Sequence, residues 1–157
     1  MSLLDEIDAQ LKTVMLARDK FQTTVLRDLK SAFLYEEVAK KIPRGSLSET
    51  DMQAVIAREV KKRDDAIEIY TGAGDKDRAE QEAAEKEILL KFLPKQMDED
   101  EIREVVRRVI ATGGYGAKDL GRVIGDVKKE IGAAAGGGLI AKIAKAELAD
   151  DSAGEKS

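Results

Sequence analysis

The chain has no cysteine, no histidine and no tryptophan, and only two prolines in 157 residues. Without cysteine there can be no disulfide and no thiolate chemistry. Without histidine there is no imidazole for acid–base catalysis or for an ordinary zinc site. Aromatic residues make up 4% of the chain and charged residues 37%. A composition so rich in Ala, Leu, Glu, Lys and Arg favours helices, and we expect no catalytic residue, no metal and no cofactor.

Long hydrophobic runs are missing as well. No segment approaches the roughly 18 apolar residues that a membrane helix needs. Asp5, Glu6 and Asp8 interrupt the N-terminus, where a signal peptide would place apolar residues. We therefore expect a soluble, cytoplasmic protein without a membrane partner. The net charge of −4 does not by itself indicate nucleic-acid binding.

Apolar residues recur three and four positions apart along most of the chain, and no strand-like alternation occurs. This pattern predicts an all-α fold. We expect an N-terminal bundle of long antiparallel helices over residues 1–96, a small C-terminal three-helix module over 97–148, and a frayed tail over 149–157. Pro94 ends the last long helix and separates the two parts. In the first two helices, Met15, Phe21 and Val38 are among the residues predicted to face inward.

Residues 55–96 are predicted to form a helical hairpin that reverses at Gly72 and Gly74. Its first helix carries an apolar stripe, and Arg63 falls within that stripe. A guanidinium on the core face needs a carboxylate partner, because an unpaired buried charge is costly. We predict a structural clasp between Arg63 and glutamates of the returning helix, namely Glu82, Glu85 and Glu87.

These carboxylates, together with Glu80, also invite a metal-binding or acid–base interpretation. Two-metal helical bundles, however, usually add a histidine to their carboxylates, and this chain has none. Ion pairing with Arg63, Lys61 and Lys62 explains the glutamates more simply.

Five segments resemble the YqeY-like family in their order and spacing, over a stretch from about Leu3 to Leu148. They are LRDLKSA at 26–32, KKRDDAI at 61–67, EAAE at 82–85, LLKFLPKQ at 89–96 and KDLGRV at 118–123. That family is similar to the tail of the B subunit of the glutamine-dependent tRNA amidotransferase, an enzyme that amidates mischarged glutamyl- or aspartyl-tRNA. In that enzyme the tail does no chemistry but holds the tRNA body. The resemblance implies an all-helical fold and an association with tRNA or with an amidotransferase-type complex.

One joint departs from the family pattern Gly-Arg-Ala-Asp-Gly-Lys. Here residues 132–137 read Gly-Ala-Ala-Ala-Gly-Gly, so Ala133, Ala135 and Gly137 stand where the family has Arg, Asp and Lys. If relatives use this joint to contact RNA, the charge-assisted phosphate contacts are lost here.

The glycines of the joint do not form a known nucleotide site. Gly132 and Gly137 have the spacing of a P-loop, but Gly138 and Leu139 replace the required Lys and hydroxyl residue. A dinucleotide fingerprint would need a preceding strand. Backbone N–H groups at the start of the following helix could still hold one phosphate of a nucleic acid.

Basic residues outnumber acidic ones by nine to five between positions 102 and 148. We predict that this region contacts the tRNA backbone with little base readout, because aromatic residues for stacking are nearly absent. The candidate contacts are Lys118, Arg122, Lys128, Lys129, Gly136, Gly137, Gly138, Lys142 and Lys145. An ordinary solvated surface is the other interpretation.

Two functions stay open. The first is a tRNA-associated accessory module without its own catalytic site. The second is a helical adaptor that binds a protein partner through the long hairpin and makes no RNA contact. More distant is participation in carbon–nitrogen ligation with glutamine as the amido donor, since none of the residues such a reaction needs is visible.

Overall fold

The structure is a computed structural model that describes residues 1–155 and the side chains of residues 1–150. Every regular element in it is helical. No strand occurs in this part of the chain, which confirms the predicted all-α fold. In chain order the α-helices are α1 (Leu3–Leu16), α2 (Lys20–Lys40), α3 (Glu49–Gly72), α4 (Lys76–Leu90), α5 (Glu99–Gly113), α6 (Leu120–Ile131) and α7 (Gly137–Glu155). Short 3-10 helices at Ala117–Asp119 and Gly132–Ala134 precede α6 and α7.

Side-chain caps fix where most of these helices begin. Ser2 and Asp98 form capping boxes, in which the cap side chain and the third helical residue each accept a backbone N–H of the other. Ser48 accepts the N–H of Asp51 at 3.1 Å and starts α3. Gly114 ends α5 in the left-handed conformation, with φ 63°. Ser2, Ser48 and Asp98 thus mark the starts of α1, α3 and α5 through their own side chains.

The chain divides into two compact units, Met1–Pro94 and Lys95–Ser157. The division lies two residues before the boundary predicted from the sequence. We refer to these parts as the N-terminal unit and the C-terminal unit.

In the N-terminal unit, α3 and α4 form the predicted hairpin and α2 contacts α1, α3 and α4. Its core is aliphatic with one aromatic ring, and its most deeply buried side chains are Ile7, Leu26, Leu29, Ile56 and Leu89. Burying apolar surface at about 25 cal/mol per Å² is the main stabilisation of such a bundle.

Three residues predicted to face inward are exposed. Val38 is 67% exposed, and Met15 and Phe21 also lie on the surface. The predictions failed because apolar spacing shows which residues share a helix face, whereas the neighbouring helices decide how much of that face is covered. Within the hairpin, Ile67 and Tyr70 are half-buried.

In the C-terminal unit, α5, α6 and α7 pack around a second core. Its most deeply buried residues are Ile102, Val106, Val123, Val127 and Ile140. Helix α7 continues to Glu155, seven residues beyond the predicted end at Leu148. The first part of the segment predicted to be frayed, residues 149–155, is thus helical, and its last two residues lie outside the described part of the chain.

Candidate nucleic-acid interface

Helix α6 carries three of the predicted cations. Its inner side places Val123 and Val127 in the core, while Arg122 and Lys129 project on the opposite, exposed side. Lys128 is exposed on the flank between these two sides. Lys118 lies one turn before the helix, in the 3-10 segment, and is exposed as well.

Helix α7 carries two further cations, Lys142 and Lys145. Ile140, Ile143 and Ala144 are buried, and at 3.6 residues per turn the two lysines fall on the other side of the helix. Both are exposed. We call the six exposed cations of this unit the basic surface, comprising Lys118, Arg122, Lys128, Lys129, Lys142 and Lys145.

Two acidic residues of the C-terminal unit, Glu130 and Glu147, pair with arginines of the same unit. Glu147 of α7 is buried and accepts two hydrogen bonds from Arg107, from Nε at 2.8 Å and from Nη2 at 3.3 Å. Arg103 Nε lies 3.4 Å from the same carboxylate. Glu130 of α6 pairs with Arg108 of α5. The arginines of α5 therefore pair with Glu130 of α6 and Glu147 of α7, whereas Asp126 of α6 accepts from Tyr115.

Consequently, no residue of the basic surface forms an ion pair with any described residue. Their charges face solvent, although Arg122 lies close enough to Tyr115 to influence its pKa. Sequence reasoning missed Glu147 and its arginines. The signal was available, because Glu147 stands four residues after Ile143 and next to Leu148 on the apolar side of α7.

The glycine joint brings Lys128 to the start of α7. A Cβ atom built on Gly137 would lie 3.0 Å from Lys128 Nζ, so the ammonium occupies the space of a side chain at position 137. Gly136 precedes the helix and offers no capping side chain. The N–H groups of the first helical turn have no acceptor within the helix. An ammonium and a helix N-terminus, both positive, thus lie side by side.

Tyr115, the aromatic residue of this unit, is already engaged. Its hydroxyl donates to Asp126 Oδ2 at 2.7 Å, and its ring covers Gly113 so closely that a Cβ there would collide with it. The hydrogen bond to Asp126 and the burial of the hydroxyl raise the pKa of Tyr115. Stacking on an RNA base would require this residue to leave its place.

The predicted clasp of the N-terminal unit forms around Arg63 with one change of partner. Arg63 Nε lies 3.3 Å from Glu85 and 4.0 Å from Glu82, and Arg63 Nη1 donates to Glu59 at 2.8 Å. Glu59 stands four residues before Arg63 on the same helix, a pairing that i,i+4 spacing could have predicted. Glu87 is exposed and forms no ion pair with Arg63.

The clasp is rich in acid. Burial first, and the neighbouring Glu82 second, raise the pKa of Glu85 above its ordinary value, while Arg63 acts in the opposite direction. Among the described residues, no group of three or more acidic side chains has the arrangement of a metal site. No helix in the described part of the chain is long and apolar enough to cross a membrane.

Comparison with known proteins adds a relative and a family. Altered inheritance of mitochondria protein 41, mitochondrial, from Clavispora lusitaniae, is 29% identical over 133 residues, which cover 83% of this chain and 74% of that protein. A family model described as Yqey-like protein matches residues 4–148, nearly the whole chain and both of its units. The chain therefore belongs to the YqeY-like family.

Proposed function

We propose that this protein is a tRNA-associated accessory module that binds RNA backbone through the basic surface. One observation carries the proposal, namely that the six cations are exposed and form no ion pair within the described chain, while nearby acids pair with α5. Exposed cations without internal partners can neutralise phosphates without first breaking a protein contact. Neutralising phosphates releases condensed counterions, which is the main source of backbone affinity.

The glycine joint adds a place for one phosphate. Lys128 Nζ lies beside the first turn of α7, where N–H groups point away from the helix. A phosphate there would receive hydrogen bonds from backbone N–H groups and charge from the ammonium. The family pattern has a lysine at position 137; we propose that Lys128 supplies that charge here in its place.

The mode of recognition would be shape and charge, not base sequence. Tyr115 is held by Asp126 and Gly113, and tryptophan is absent from the chain. Folded RNA helices are recognised mainly by contacts to phosphate and 2′-hydroxyl groups. A tRNA body is therefore a better ligand for this surface than a single strand, which would need stacking platforms.

The test is a salt titration of tRNA binding with two double variants. Each phosphate contact contributes a slope of about 0.7–0.9 to the fall of log K with log salt. Lys142→Ala/Lys145→Ala should weaken binding and lower the slope by about 1.4–1.8, since two contacts are removed. Lys12→Ala/Lys76→Ala removes the same charge from exposed lysines of the N-terminal unit that form no ion pair with a described residue, and it should leave the slope unchanged. Equal slopes for the two doubles, or no binding at low salt, would contradict the proposal.

A protein adaptor is the second candidate, and one observation favours it. Ile69, near the reversal of the α3–α4 hairpin, is a large apolar residue that is 69% exposed, and a partner that binds the hairpin would cover it. The loss of basic residues at positions 133 and 137 points the same way. Ala133→Arg, which adds a cation at the joint without displacing Lys128 from the space beside Gly137, should tighten tRNA retention if an RNA site has been eroded. Unchanged retention, with protein recovered in a low-salt pull-down, would support the adaptor.

Participation in carbon–nitrogen ligation with glutamine as amido donor would occur through an amidotransferase-type partner, because the glycine joint lacks the Lys and the hydroxyl residue of a nucleotide site. We propose the cytoplasm as the compartment. The mitochondrial designation of the relative from Clavispora lusitaniae makes fractionation of cells expressing the full chain the deciding measurement.

A further inference from the structure

The outer side of α2 exposes three large apolar residues near its C-terminal end. Tyr35 is 77% exposed, Val38 67% and Leu34 40%. Since positions 34, 35 and 38 are separated by one, three and four residues, the three side chains lie together on one side of the helix. Leu29 and Phe33, on the inner side, are buried. An isolated exposed leucine needs no explanation, but a contiguous group beside a cleft does.

The cleft opens directly beside this group, and Leu34 belongs to both. It has a volume of about 310 Å³ and is lined on its apolar side by Leu4, Phe33, Leu34, Leu47 and Met52. Small-molecule sites occupy about 300–1,000 Å³, so this cleft is at the lower limit for a cofactor. It suits one or two large side chains from another protein. We call the cleft together with Leu34, Tyr35 and Val38 the α2 surface.

Some of the cations around the α2 surface form ion pairs and others do not. Lys30 pairs with Asp8 at 2.6 Å, Lys40 with Asp51 at 3.2 Å, and Arg58 with Glu36 at 2.6 Å. The buried carboxylate of Glu37 accepts the N–H of Gly45. Two exposed cations, Lys41 and Arg44, form no ion pair within the described chain. At the exposed rim the charge without an ion pair is therefore positive, while the carboxylate of Glu37, which also lines the cleft, is buried and forms no ion pair with a described residue.

We propose that the α2 surface binds an amphipathic helix of a partner protein, with apolar residues along one side and acidic residues beside them. Leucine-sized side chains of the partner enter the cleft and cover Tyr35 and Val38. Its carboxylates pair with Lys41 and Arg44. This is the helix-in-groove mode of recognition, in which residues at i, i+3, i+4 and i+7 supply the anchors. The site uses no residue of the basic surface, and only Met52, near the start of α3, belongs to the α3–α4 hairpin proposed for an adaptor.

A protein fits this surface better than RNA does. Two of its three exposed side chains are aliphatic and offer no face for stacking, and one of its rim cations, Lys30, is already neutralised by Asp8. Tyrosine is among the residue types that contribute most to protein interfaces. Binding of tRNA or of a second copy of the chain are the competing outcomes of the test.

The probe is a synthetic amphipathic peptide of about 18 residues, with leucine at helical spacing and glutamate on both flanks. A matched peptide carries lysine in place of every glutamate. The glutamate peptide should bind the full chain and shift the amide resonances of residues 31–45. It should bind at least about tenfold more tightly than the lysine peptide, because the rim is positive. Lys41→Glu/Arg44→Glu should reverse that preference.

Matched variants decide whether the apolar group takes part. Tyr35→Ser/Val38→Ser changes only exposed side chains, so the protein should keep its fold and lose at least about tenfold in affinity for the glutamate peptide. Ile69→Ser, at an equally exposed position on α3, should leave the affinity unchanged. Equal affinity for both peptides, shifts at other residues, or no binding would overturn the proposal. Displacement of the peptide by tRNA, or shifts of residues 31–45 that grow with protein concentration alone, would overturn it as well, in favour of RNA or of self-association.

Discussion

At Arg63 the carboxylate partners outnumber the guanidinium. From the sequence, the concern is a guanidinium without a partner. In the structure three carboxylates, Glu59, Glu82 and Glu85, surround it. Its Nε nevertheless lacks a partner with hydrogen-bond geometry, although Glu85 is 3.3 Å away. Negative charge thus exceeds positive charge at the clasp, which agrees with the raised pKa of Glu85.

Removing Arg63 should therefore destabilise the N-terminal unit by more than a surface ion pair would. Its side chain is 16% exposed, between the fully buried pairs that cost about 3–5 kcal/mol to break and the exposed ones worth about 0–1 kcal/mol. We expect Arg63→Ala to lower the free energy of unfolding by about 2–3 kcal/mol, because it leaves three carboxylates facing one another. Native-state hydrogen exchange of α3 and α4 amides measures this loss.

Lys62→Ala is the control for that prediction. Lys62 pairs with the same Glu59, at 3.0 Å, but its side chain is 68% exposed. Its removal should cost less than about 0.5 kcal/mol. If both variants lose equally little, the clasp contributes no more than an ordinary surface pair.

At the scale of helices, Glu147 ties α7 to α5 through Arg103 and Arg107. A buried carboxylate between two guanidinium groups satisfies its charge with directed hydrogen bonds and fixes how the two helices face each other. Lys142 and Lys145, on the other side of α7, form no ion pair with a described residue.

Glu147→Ala should lower the free energy of opening of the α5 and α7 amides, measured by hydrogen exchange, by about 2–3 kcal/mol. Arg103 loses its less exposed partner, and a void replaces the buried side chain. Asp100→Ala provides the comparison. Asp100 also pairs with Arg103, at 2.7 Å, but is 92% exposed, so its removal should change protection little. If the two variants lower the free energy of opening equally, the buried ion pair of Glu147 contributes no more stability than the exposed pair of Asp100.

Much of the helical architecture could be predicted from the sequence because its signals are local. Ser48 and Asp98 mark helix starts through their own side chains, and Gly114 ends α5 through its own backbone. The exposure of Val38 could not be predicted in this way, since it depends on where the neighbouring helices end. The same holds for the basic surface. Its lysines and arginines are visible in the sequence. Whether they have ion-pair partners, however, depends on which carboxylates pair with the arginines of α5 in the folded chain.

At the scale of the whole molecule, a net charge of −4 says little about where charge is available. Carboxylates of this chain cap helices, pair with arginines and accept backbone N–H groups, as Asp98, Glu147 and Glu37 illustrate. The carboxylate of Glu147, buried and paired with arginines, is out of reach of a ligand. Exposed cations without an ion pair among the described residues are therefore present on an acidic protein, including the basic surface and the pair formed by Lys41 and Arg44.

The shifted pKa values of three carboxyl groups predict how the free energy of unfolding depends on pH. Hydrogen bonds from Ser2 and from Gln22 lower the pKa values of Asp5 and Asp19 below 3.8, so their contribution is present above that pH and is lost as pH falls through the folded-state pKa. Glu85 acts in the opposite direction. Its folded-state pKa is raised above 4.5, so its contribution is complete below that pH and is lost as pH rises through the folded-state pKa.

We therefore expect the free energy of unfolding to rise as pH falls from about 7, to pass through a maximum at mildly acidic pH, and then to decline as carboxylates such as Asp5 and Asp19 take up protons. Urea titrations followed by circular dichroism across this range measure the curve. Glu85→Gln should flatten the rise and keep the acid decline, because glutamine cannot ionise. Glu87→Gln, on the same helix but outside the clasp, should leave the curve unchanged. A rise as steep in Glu85→Gln as in the unaltered protein would show that the clasp does not titrate, and that Arg63 neutralises its carboxylates fully.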